Sequence, residues 1–247
     1  MTIIADPNAR AARAAEKRML LLRFLRDEIY TTLQVAGMAM GVGERAARAT
    51  IARLESAGLV KRWPVELADG LPPLVVVGIT SRGQAGAFDP ATEQAIDRAF
   101  EPSRRNLAAT LRHTLDMQRL RIEAMRAGAV RQWINADRLA AARAGAKKPD
   151  AVCLNAHGER IAIEVERSIK APRRYVAVLE GHLTSIHQRK WSRVIWACPD
   201  PATATRVRAL VLGISRARVA GIDTRIDPEL HHAGLSFCTY SNFIKTL

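Results

Sequence analysis

Residues 147–170 read KKPDAVCLNAHGERIAIEVERSIK, and the fold turns on how this stretch pairs with itself. Val152 and Leu154, then Ile161, Ile163 and Val165, mark two strands around an Asn/Gly-containing turn. Side chains alternate across a strand, so Ile161, Ile163 and Val165 take one side and Ala162, Glu164 and Glu166 the other. A five-residue loop, Asn155 to Glu159, sets Asp150 opposite Glu164, whereas a four-residue loop would set it opposite Ile163. The five-residue loop is expected. Clustered carboxylates repel and raise one another's pKa unless a cation lies between them. Oxygen donors suit Mg²⁺ or Mn²⁺, ions that activate water and neutralise phosphate charge. Asp150, Glu164 and Glu166 are therefore the candidate metal ligands. The plainer alternative is a solvated strand face whose acids pair with Arg160, Arg167 or Arg173.

Outward from this hairpin the pattern is a mixed sheet with helices. Pro172 suits the first turn of a helix, and Arg173 and Arg174 at its start are placed to hold phosphates. Val194 to Ala197 is an apolar strand closed by Pro199-Asp200-Pro201. A helix over 202–212 and a last strand over 235–240 follow. On the other side, 103–127 carries apolar residues at helical spacing, Gly128 caps it, and 129–135 with Trp133 reads as a strand. Strand, hairpin, helix, strand, helix, strand is an α/β order.

The N-terminal third reads as three helices and a β-hairpin. Residues 11–30 form the first helix, and Thr31-Thr32 cap a short second one that Gly41-Val42-Gly43 breaks. A third runs from Glu44 to Ala57, with Ala47, Ile51 and Leu54 on one face and Arg45, Arg48 and Arg53 elsewhere; Gly58 ends it. Strands at 59–63, with Lys61 and Arg62, and at 74–79 flank a Gly/Pro turn spanning Pro64 to Pro73. A helix–turn–helix followed by a hairpin makes a winged helix, whose second helix can enter a major groove while the hairpin touches backbone. Asp89-Pro90 and Glu101-Pro102 flank an acidic connector, giving domains at 1–88 and 103–247 with a connector at 89–102.

Lys and Arg number 38 against 24 Asp and Glu in 247 residues, a net charge of +14. The excess is +4 over 1–85, +2 over 86–140 and +8 over 141–247, with no polybasic run. Charge spread over folded segments fits surfaces that meet phosphates, and double-stranded DNA is the expected partner. The longest apolar stretch, Leu71 to Ile79, is far below the roughly 20 residues a membrane helix needs, and no signal-peptide core opens the chain, so a cytoplasmic protein without membrane attachment is expected. Three separated cysteines argue against a disulfide scaffold or a Cys-rich zinc site.

Leu-Glu-Ser-Ala-Gly-Leu-Val-Lys-Arg (54–62), followed by Ile-Thr-Ser-Arg-Gly (79–83), resembles the winged-helix domains of bacterial regulators. Pro149-Asp150, Glu164-x-Glu166 and Lys170 resemble the PD-(D/E)xK nuclease motif, whose fold is a mixed sheet flanked by helices. Taken in order, the chain is similar to the replication-relaxation family, which includes MobC-type plasmid mobilisation proteins. The resemblance implies binding at a transfer origin, metal-dependent nicking by the nuclease-like half, and other relaxosome proteins or a homodimer as partners. It makes Asp150, Glu164, Glu166 and Lys170 the catalytic set and Arg45, Arg48, Arg53, Lys61, Arg62, Arg173 and Arg174 the DNA contacts. Glu166 stands where the motif has Lys. Either it is a third ligand and Lys170 reaches back, or the site is inactive. A non-enzymatic regulator whose second half only dimerises or grips DNA is the alternative function.

Other candidates are weaker. His182 and His187 fall on different helix faces, and His231-His232 lacks the spacing of the HUH motif, which leaves Tyr30, Tyr175 and Tyr240 without a nucleophilic role. His113 reads as structural. Neither a GxGxxG nor a Walker A loop is present.

Overall fold

The structure is a computed structural model that describes residues 6–67, 72–91, 98–102, 107–139 and 148–247. The middle of the acidic connector, the start of the helix expected from Ser103, and Lys147 lie outside the described residues. The chain is a mixed α and β protein of two compact units, Met1–Arg119 and Leu120–Leu247, which divide inside a helix that follows the connector. Among the described residues no helix is long and apolar enough to cross a membrane.

In the first unit, Asp6 caps helix α1 (Pro7–Glu28) by accepting from the Asn8 and Ala9 amides, with Pro7 in the first turn where its missing N–H costs nothing. Strand β1 (Tyr30–Thr32) leads directly into α2 (Leu33–Met40), which Thr32 caps. Gly41, at φ 67°, ends α2 in the left-handed conformation that glycine adopts without cost. Helix α3 (Glu44–Ser56) buries Ala47, Thr50, Ile51 and Leu54. Strands β2 (Val60–Val65) and β3 (Leu74–Ile79) complete a sheet in the order β1-β3-β2, antiparallel throughout.

Two details differ from the sequence expectation. Residues 30–32 add a strand, because Tyr30 pairs with Gly78 before the Thr32 cap takes effect. The second strand also runs on through Pro64, which pairs with Val75; β2 lies at the sheet edge, where proline is tolerated. Helix α4 (Ser81–Ala87), capped by Thr80, packs so closely that a β-carbon on Gly83 would strike the Leu59 carbonyl. Helix α5 (Leu107–Arg126) bonds to β1: the Thr31 hydroxyl donates to the Gln118 side-chain oxygen, and the Gln118 amide donates to the Tyr30 carbonyl, both at 2.7 Å.

The second unit is built on five strands: β4 (Val130–Asn135), β5 (Ala151–Asn155), β6 (Arg160–Val165), β7 (Arg193–Cys198) and a last strand, Leu235–Thr239. The first three form an antiparallel meander, β6 and β7 run parallel across helix α6 (Pro172–His187), and β7 runs parallel to the last strand across α7 (Pro201–Leu212). Before that last strand, β8 (Arg216–Val219) and β9 (Ile222–Arg225) form a separate hairpin, making Leu235–Thr239 β10 and the sheet order β10-β7-β6-β5-β4.

Ala162, Val194 and Trp196 on one face meet Val178, Leu179 and Leu183 of α6. Full burial of a leucine contributes about 1.5–3 kcal/mol, so these contacts fix α6 on the sheet. Ile161, Ile163 and Val165 are equally buried on the opposite face. Strand β6 is thus covered on both sides, and the solvated strand face weighed as the plainer alternative does not exist: Glu164 and Glu166 are 3% and 4% exposed.

Candidate active site and nucleic-acid interface

The hairpin register decides which acids meet. Ala151 pairs with Ile163, Val152 with Ala162, Cys153 with Ile161 and Leu154 with Arg160, leaving Asn155 to Glu159 as the loop. Continued by one residue, this register sets Asp150 opposite Glu164, as the five-residue loop required. Opposed residues share a face, and Val152 and Ala162 in the same file both join the core beneath α6. Asp150, half-buried, accepts the Val165 amide at 2.8 Å on its Oδ2, which ties the start of β5 to the end of β6.

Glu164 in β6 and Glu166 just after it each have their own basic neighbour. Glu164 Oε1 lies 2.9 Å from His182 Nε2, and that ring packs edge-on against Trp191 and Trp196. Just past the strand, the Glu166 amide continues the pairing to the Ala197 carbonyl, and Glu166 Oε1 receives the Lys170 ammonium at 2.7 Å. The Lys170 amide donates to the Tyr175 hydroxyl at 3.1 Å, which folds the segment back so that its side chain returns to the acids. Burial opposes the Lys170 charge, but the hydrogen bond and charge of Glu166, with the charges of Asp150 and Glu164, outweigh it and hold its pKa above the ordinary lysine value. The four residues singled out in the sequence therefore share one electrostatic site.

His182 belongs to that site, which its spacing to His187 does not reveal. The signal was its place on α6, seven residues after Tyr175 and three after Leu179, on the face that buries both. Its Nδ1 is buried with no hydrogen-bond partner among the described residues. Among those residues, no three His, Cys, Asp or Glu side chains stand together as a ready metal-binding group.

At the far end of the hairpin, Glu159 is held by Ser192, Arg193 and Asn155. Burial acts to raise its carboxyl, but these bonds together with the Arg193 charge prevail and keep it below the usual carboxylate value.

The basic residues of the expected DNA contacts lie at the surface of their units. Arg45, Arg48 and Arg53 are exposed on α3, with Arg48 paired to Glu44. Arg62 is 3.3 Å from Glu55, and the Lys61 ammonium sits 5.8 Å above the Phe100 ring. Arg173 and Arg174 are exposed in the first turn of α6. No family model, curated protein or solved structure matches the chain.

Proposed function

We propose that this is a DNA-binding protein of plasmid or mobile-element mobilisation, with a winged helix in its first unit and a PD-(D/E)xK nuclease-like core in its second that nicks the bound DNA. Supporting the first part are the sequence of α2, α3 and a two-stranded hairpin, and the exposed cations on α3 and β2. A helix presented in this way suits a major groove, with the hairpin on the flanking backbone. Supporting the second part is a three-stranded meander joined through a helix to a parallel strand.

The observation that carries the catalytic reading is the register that opposes Asp150 to Glu164, with the Lys170 ammonium held by Glu166 and acted on by the charges of both. Two carboxylates form a hard oxygen donor set, and Mg²⁺ is commonly held by one or two carboxylates with water and substrate phosphate. Asp150 and Glu164 are the residues that would hold Mg²⁺ or Mn²⁺; the ion when bound supplies Lewis-acid neutralisation of the phosphate and acidification of water. Lys170 has the role the motif gives to the lysine on the strand: its positive charge offsets the negative charge that builds on the phosphate as water attacks phosphorus and the P–O bond to the leaving sugar breaks. Glu166 anchors Lys170, and His182 fixes the rotamer of Glu164.

A second reading is favoured by the burial of Glu164 and Glu166 and by their engagement with His182 and Lys170. Here the acids are structural, and the chain regulates transcription or replication by gripping DNA. Incubation with supercoiled plasmid and Mg²⁺ or Mn²⁺ separates the two. The proposal expects nicked circles from the wild type and none from Asp150→Asn. Supercoiled plasmid bound but never cut would leave the regulator.

A further inference from the structure

Helix α1 carries a stripe whose chemistry changes along its length. Leu21 and Leu25 face the core of the first unit and are fully buried. The same stripe, followed back at intervals of three and four residues, runs through Arg18, Lys17, Arg13 and Arg10. There it lines a cleft of about 210 Å³ against α3, whose side contributes Arg53 and the small side chains of Ala46 and Ala49. A core-facing stripe is ordinarily apolar, but here it leaves the core, with Arg10 and Arg13 exposed and Lys17 and Arg18 half-buried. This one carries four cations instead, Arg53 of α3 adds a fifth across the cleft, and among the described residues the carboxylate paired with them is Glu16, 2.5 Å from Arg13. Cations crowded along a concave wall repel one another and focus a positive potential into it, which disfavours the cleft standing empty.

We infer that the cleft seats the sugar–phosphate backbone of one DNA strand, a second line of contact beside the α3 face that carries Arg45 and Arg48. The inference rests on the DNA-binding reading above. From Arg10 to Arg18 the helix rises about 12 Å, the axial length of about three phosphates of one strand. The alanine methyls on α3 leave the cleft shallow, so a backbone can approach the cations from outside. An extended phosphate chain matches a row of cations in a way that a compact anion does not.

The test is the salt dependence of binding to a fluorescein-labelled duplex of mixed sequence, read by anisotropy. Arg10→Gln, Lys17→Gln and Arg53→Gln combined should lower the slope of log K against log salt by about 2 to 3, one phosphate for each lost cation. Removing like charges relieves repulsion, so this variant should melt at or above the wild-type temperature, which separates lost contact from lost fold. Glu16→Gln, which frees Arg13, should bind more tightly than the wild type. An unchanged slope in the triple variant, with the wild type binding steeply and Arg45→Gln/Arg48→Gln weakened, overturns the cleft and leaves the DNA reading intact. A wild type that does not bind duplex overturns both.

Discussion

Glu164 and His182 form a buried pair between strand β6 and helix α6, with Oε1 and Nε2 2.9 Å apart and both side chains under 5% exposed. A carboxylate so enclosed depends on each of its donors, because losing one from a buried charge costs more than the bond contributes. His182→Ala should therefore lower the stability of the second unit by about 3–5 kcal/mol in urea unfolding. Glu164→Gln keeps an oxygen that can accept from Nε2 and should cost about 1 kcal/mol. Equal costs for the two would remove the charge argument.

Lys170 and Glu166 predict an alkaline limit. The Lys170 pKa is raised in the folded state, so its contribution is complete below the ordinary lysine value of 10.5 and is lost as pH rises through the folded value. The stability gap between wild type and Lys170→Met should hold from neutral pH to that point and close above it. A gap that closes near neutrality would contradict the contact.

Glu159 predicts the acid side. Its folded pKa lies below the ordinary 4.5, so the unfolded chain binds more protons in that window and stability rises with pH through it. The wild type should be more stable than Glu159→Gln at neutral pH, and the two should converge as pH falls through the carboxylate range. The group is half-buried, and the solvent that reaches it screens its pairing, which keeps the difference small.

How far these relationships were legible in the sequence depends on the residue. The opposition of Asp150 and Glu164 followed from loop length, since a period of two leaves only two registers to choose between. The apolar strands and the Pro172 helix start were equally plain. The burial of the acids was not. Alternation in 161–166 looks like an amphipathic edge, yet β6 lies between β5 and β7 with α6 crossing over it, and a strand inside a mixed sheet is covered on both faces. His182 was hidden for a related reason: a polar residue on an apolar helix face signals a buried partner only once the opposing strand is known. The β8–β9 hairpin is short and mostly exposed, so no apolar rhythm marked it.

The packing of α4 on the first unit supplies a test independent of charge. A β-carbon at Gly83 would run into the Leu59 carbonyl, which cannot move without dragging the start of β2. Gly83→Ala should cost about 1–3 kcal/mol. Gly43→Ala, where a β-carbon meets nothing within 4 Å, should lose only the glycine N-cap of α3, about 0.5 kcal/mol. Thermal melting of the two variants against the wild type checks this directly.

The central claim is that acids from two paired strands converge on a divalent ion. Crystals grown with Mn²⁺ and measured at its absorption edge test it most directly. The account predicts an anomalous peak between the Asp150 and Glu164 carboxylates that disappears in Asp150→Asn. A Glu164 still closed on His182 at saturating Mn²⁺, with no peak beside Asp150, would contradict it.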